Sequence, residues 1–97
     1  MAKFQAELPT AHASRYLQQL CKHWSHRFPV EFDRTHGTVE LTGARCTFDA
    51  GPERLSLMLE GDDRQALPRL SEVVTEHLKR FAFREKVELQ WRAAAES

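Results

Sequence analysis

The sequence predicts an α+β domain with its elements in the order β-α-β-β-β-β-α-β, two helices packing on one face of a curved antiparallel sheet. Three observations carry this. Apolar and polar residues alternate in several short runs, the period of a half-buried strand. Two longer segments repeat their apolar residues about every 3.6 positions, the period of a helix. Turn residues separate the central runs closely enough to make them hairpins, so the sheet is antiparallel with one wet face.

Phe4, Ala6 and Leu8 alternate with Gln5 and Glu7 in the first strand, which Pro9 ends. Thr10 supplies an N-cap hydroxyl for the helix that follows. That helix runs to about Arg27, with Ala13, Leu17, Leu20, Cys21, Trp24 and Phe28 on its apolar face and Pro29 beyond its end. Four strands come next. Val30–Phe32 and Thr38–Leu41 flank the turn Asp33-Arg34-Thr35-His36-Gly37. Gly43 makes a tight corner, and Ala44, Cys46 and Phe48 alternate after it. Ala50-Gly51-Pro52 turns into the run Leu55, Leu57, Leu59. Gly61-Asp62-Asp63 opens the second helix with acids at its positive end, and Pro68 falls in the first turn of the main segment. Its stripe is Leu67, Leu70, Val73, Val74, Leu78 and Phe81, with His77 falling inside it. Phe83 reads as core with Phe81, and Arg84 and Glu85 as exposed. The last strand carries Val87, Leu89 and Trp91, and 93–97 read as a frayed tail.

The chain has 97 residues, which fits a single domain, 1–97, with one core and room for one site. Fourteen basic and fourteen acidic residues cancel, which leaves no bulk field for a nucleic acid or a membrane. The outward strand positions carry seven acids (Glu7, Glu31, Asp33, Glu40, Asp49, Glu60 and Glu88) against four bases (Lys3, Arg45, Arg54 and Arg92). Phosphate binding needs the opposite balance, and no aromatic residue falls on that face for stacking, so nucleic acid is not expected as a partner. No apolar run reaches the ~18 residues of a spanning helix, and MAKFQAELPT lacks a signal pattern. The expected location is therefore the cytoplasm, with no membrane partner and two reduced thiols.

Four groups of residues carry chemistry. His77, inside an apolar stripe, must find a hydrogen-bond partner or line a pocket. With Tyr16, Cys21 and Cys46 it outlines an expected ligand pocket between helices and sheet. Cys21 and Cys46 both point inward and are candidate neighbours, by default two small buried hydrophobes. His23 and His26, three apart, share a helix face and are candidate metal ligands; Cys21 lies about 200° from His23 and cannot join them. A symmetric homodimer would bring four imidazoles together. Arg15, Lys22 and Arg27 stand in the acid-free stretch from Leu8 to Val30, a patch for an anionic ligand or an acidic protein partner. No catalytic motif, phosphate-cradling loop or cofactor fingerprint is present; a divalent metal is the cofactor left open.

The runs Ala13-Ser14-Arg15-Tyr16-Leu17-Gln18-Gln19-Leu20-Cys21-Lys22-His23-Trp24-Ser25-His26 and His77-Leu78-Lys79-Arg80-Phe81-Ala82-Phe83-Arg84-Glu85 resemble a bacterial family, domain of unknown function 2218. The strand holding Gly43 and Cys46 and the closing Leu89-Gln90-Trp91-Arg92 extend the likeness over nearly the whole chain. It implies a small bacterial cytoplasmic protein and matches motif positions at Cys21, His23, His26, His77, Arg80 and Arg84. It carries over no cofactor or catalytic residue. The element order also resembles the TATA-binding-protein-like and helix-grip folds, a likeness that says nothing of function. Three readings result: a non-enzymatic small-ligand module with its pocket around His77; a metal-binding or sensing protein using His23 and His26; and a docking protein whose basic first helix meets an acidic partner.

Overall fold

The computed structural model describes residues 1–94. The elements are β1 (Ala2–Pro9), α1 (Ala13–Trp24), β2 (Val30–Phe32), β3 (His36–Leu41), β4 (Ala44–Ala50), β5 (Arg54–Gly61), a 3-10 turn (Arg64–Ala66), α2 (Leu67–Phe81) and β6 (Arg92–Ala93). The strands form one antiparallel sheet in the order β2-β3-β4-β5-β1-β6. Three tight connections build the β2–β5 meander. The two long connections carry the helices: α1 takes the chain from β1 across to the far flank, and α2 returns it from β5 to the other side of β1. Both helices lie on one face, α1 over β2–β5 and α2 over β5 and β1.

Strand alternation decides which face is dry. Val39, Cys46, Phe48, Leu55, Leu57 and Leu59 point toward the helices and are buried with Leu17, Leu20 and Cys21 of α1 and Leu67, Val74 and Leu78 of α2. Gly37 lets α1 sit close to β3, because a Cβ there would lie 2.7 Å from Cys21 Sγ. The outer face is wet, and its register puts unlike charges side by side. Lys3, Glu60, Arg45 and Glu40 form one row across four strands, with ion pairs at 3.8 Å for Lys3–Glu60 and 2.5 Å for Arg45–Glu40. Arg54–Glu7 at 3.0 Å and His36–Asp49 at 2.7 Å close a second region.

The helices begin and end for local reasons. Thr10 accepts a bond from the His12 N–H at 3.0 Å, while His12 itself takes the N-cap place of α1. Asp63 caps the 3-10 turn by accepting from Gln65 N–H at 2.9 Å, and Pro68 then sits in the first turn of α2. The last strand differs from expectation. Val87, Leu89 and Trp91 are half-buried against the core but outside any strand, and the ladder to β1 starts only at Arg92. Trp91 is held from α2 instead, donating Nε1–H to Thr75 Oγ1 at 2.9 Å. Ala93, expected to fray, pairs with Phe4, whereas 95–97 lie outside the described residues. Phe83 is not core: it is 74% exposed, with the Arg84 guanidinium over its ring.

Gly61 is constrained by backbone. A Cβ there would lie 2.7 Å from the Gly43 carbonyl oxygen and 3.3 Å from Ala44 Cβ, so the β3–β4 corner would have to move. Gly61→Ala is expected to destabilise the protein by about 1–3 kcal/mol, the usual cost of overpacking. A shift in the urea midpoint at unchanged slope would measure it, and an unchanged midpoint would show that the corner yields freely.

Candidate functional site

The second helix carries two apolar rows. The inner row, Leu67, Ser71, Val74 and Leu78, is buried. The flanking row, Leu70, Val73, His77 and Phe81, follows the same 3–4 spacing one step around the helix. It borders the last turn of α1. Between the two helices, closed at one end by Leu41 and Thr42 of the β3–β4 corner, lies a groove of about 220 Å³. Its walls are His23, Trp24, Arg27, Phe28, Leu41, Thr42, Leu70, Val73 and His77. No Asp or Glu is among them. Val73 is 39% exposed although nothing polar calls for it there.

Trp24 anchors the groove floor. It is buried and stacks on Phe48 with ring centroids 6.1 Å apart. His77 lies against it at 5.1 Å and against His23 at 5.4 Å; His23 also meets Phe81 edge-on at 5.9 Å. The His77 Nδ1 sits 2.8 Å from the Val73 carbonyl oxygen. A carbonyl can only accept, so Nδ1 carries the proton and Nε2 is the lone-pair nitrogen of the neutral ring. Desolvation holds the His23 pKa below its ordinary value, and the electrostatic effects of His77, Arg80, His26 and Arg27 add to it.

The expected pocket of His77, Tyr16, Cys21 and Cys46 is not formed. His77 is half-buried on the helix seam, its hydrogen bond satisfied by its own helix. Tyr16 lies toward the other end of α1, where its hydroxyl donates a very short bond to Glu85 Oε2, the same oxygen that accepts from Thr10 Oγ1 at 2.9 Å. Burial first, and then Glu85, push the Tyr16 pKa up. Cys21 and Cys46 are free, fully buried thiols. Burial pushes Cys21 up to about 11; it raises Cys46 further, with a contribution from the charge of Cys21. Neither is poised as a nucleophile.

His23 and His26 are both exposed but do not share a helix face, because α1 ends at Trp24 and His26 stands in the turn after it; the ring packed on His23 from across the seam is His77. Among the described residues no three His, Cys, Asp or Glu side chains gather as a metal-binding group. Of the basic patch, Arg15, Lys22 and Arg27 are all exposed, and only Arg27 borders the groove. Sequence reasoning did not assign Phe28, Leu41, Thr42, Leu70 and Val73 to a site. The signal for two of them was present: α2 has more apolar residues than one buried row can use. Larger concavities of about 490, 380 and 290 Å³ also occur; Glu40 and Arg45 line the first two and are paired with each other, and the third is lined by Glu31, Phe32, Asp33, His36 and Thr38, with Phe32 its one large apolar side chain.

The sequence matches the family model described as "Uncharacterized protein conserved in bacteria (DUF2218)" over residues 5–92. The chain belongs to the DUF2218 family. A solved relative supports the DUF2218 fold described above: the NMR structure of PA4090 from Pseudomonas aeruginosa is 33% identical, with a TM-score of 0.80, and the match covers 95% of this chain and 96% of that one. No curated protein matches the sequence. DUF2218 membership fixes the architecture and a bacterial distribution, and the chemistry of the groove rests on its own residues.

Proposed function

We propose that this protein is a non-enzymatic binding module that holds a compact, largely apolar ligand in the groove between α1 and α2. The observation that carries the reading is the composition of the walls: Phe28, Leu70 and Val73 leave apolar surface open to solvent above buried Trp24 and Leu41, in a concave site with a few convergent polar groups. That combination is the usual form of a small-molecule site. At about 220 Å³ the groove is smaller than sites for drug-sized ligands, so its occupant is small. The reading includes a cytoplasmic setting, in keeping with two free cysteines; no described helix is long and apolar enough to cross a membrane.

Phenylacetamide, a neutral ring with a short polar tail, is a suitable first probe. Titrated into isotopically labelled protein, it is expected to move the amide resonances of Trp24, Phe28, Leu70, Val73 and His77 along saturable curves. Val73→Phe fills the groove and is expected to weaken binding at least about tenfold, which is 1.4 kcal/mol. Shifts spread evenly over the surface, or confined to the outer sheet face, would overturn the reading.

A further inference from the structure

We infer that the occupant of this groove is an anion, a small carboxylate with an apolar body, whose charged end lies at the rim formed by His23 and Arg27. The inference rests on the groove being the binding site and adds the chemical class of what binds there.

The first observation is the polar part of the wall. His23, Arg27 and His77 line the groove and no carboxylate does. Arg27 is exposed and makes no ion pair with a described residue. The second is what surrounds the rim. The charged groups that act on His23 are His77 and Arg80 from α2 and His26 and Arg27 from the turn after α1, and none of them is acidic. Phe81 meets the His23 ring edge-on, and Trp24 lies against His77. On the outer sheet face, by contrast, Lys3, Arg45 and Arg54 each face a glutamate. In a chain whose formal charge sums to zero, a concave apolar surface edged only by cations and imidazoles is complementary to an apolar anion. An arginine at the edge can hold a carboxylate with two parallel hydrogen bonds.

A proton completes the arrangement. Desolvation first, and then the basic groups around it, lower the His23 pKa, and an anion placed at the rim offsets the second effect. Binding therefore takes up a proton, and affinity for the anion rises as the pH falls toward the ordinary histidine range. A neutral ligand gains nothing from this.

The test compares phenylacetate with phenylacetamide, two probes of nearly the same shape, followed by the same resonances. At pH 6 and low salt the acid is expected to bind about fivefold more tightly, roughly the 1 kcal/mol of one exposed charge contact. The advantage should shrink at pH 8 and in high salt, where the field is screened. R27Q should bring the ratio of the two affinities to about one. Equal binding of both probes in the groove of the native chain would overturn the anion inference while leaving the groove as the binding site. If neither probe moves the groove resonances, the binding reading itself falls, and the inference with it.

Discussion

Phe48→Ala is expected to cost about 3–5 kcal/mol of stability, most of what a domain of this size possesses. Phe48 has no solvent-exposed surface and stands in the inner strand β4, beside Gly37 and Leu57. Its ring supports Trp24 at 6.1 Å, and Trp24 supports His77 at 5.1 Å. Truncation leaves a cavity under the groove floor, and a rigid sheet flanked by two helices cannot collapse to fill it. Urea denaturation should show a midpoint near the edge of the native range, and the groove resonances should broaden in whatever folded fraction remains. Phe32→Ala is the control, on the exposed edge strand, expected to cost below about 1 kcal/mol. A small loss at Phe48 would mean that the ring is not the support of the floor.

Glu85→Ala is the second large effect, expected at about 2–3 kcal/mol, from two hydrogen bonds to one ionised acceptor. Thr10 and Tyr16 are both buried and both donate to Glu85 Oε2. Removing the carboxylate leaves two buried hydroxyls without an acceptor and releases the segment after α2 from the start of α1. Glu85→Gln keeps an acceptor and should lose about half as much. The same contact has an acid signature. The Tyr16 bond, and then the Thr10 bond, hold the Glu85 pKa below its ordinary value of 4.5. A depressed native value means that this stabilisation is complete above about pH 4.5 and disappears as the pH falls through the native value. The native chain should therefore lose stability on acidification faster than Glu85→Ala, and parallel pH curves for the two would contradict the assignment.

The secondary structure was largely legible in the sequence because alternation and helical period are local. Five of the six expected strand runs and both helices follow from them, and Pro9 and Gly43 mark real ends, whereas α1 stops at Trp24 rather than near Arg27. Where expectation failed, the cause was distance along the chain. Val87, Leu89 and Trp91 have a strand's alternation, yet Trp91 finds Thr75 on α2 and the run forms no ladder. Glu85 reads as a surface residue until the fold brings Thr10 and Tyr16 to it from the other end of the chain. His77 reads as interior because six apolar neighbours share its stripe, but the buried row is the narrower set Leu67, Ser71, Val74 and Leu78. Ser71 is what misleads: a serine stands in the row that touches the core, while Val73 stands outside it. The groove is legible only afterwards, as the residue left over when a two-row helix meets a one-row sheet contact.

The flanks of the sheet are three residues of β2 on one side and two residues of β6 on the other. A sheet grows by capturing further strands along its open rim, the route to ordered aggregates and exchanged dimers, and each captured residue adds to the hold. Here the flanking strands are short at both ends, and β2 carries Glu31 at its centre, opposite Thr38. A segment recruited to β2 would gain only a few bonds and would set its own side chains beside the exposed Glu31 carboxyl. Growth of the sheet through either flanking strand is therefore disfavoured.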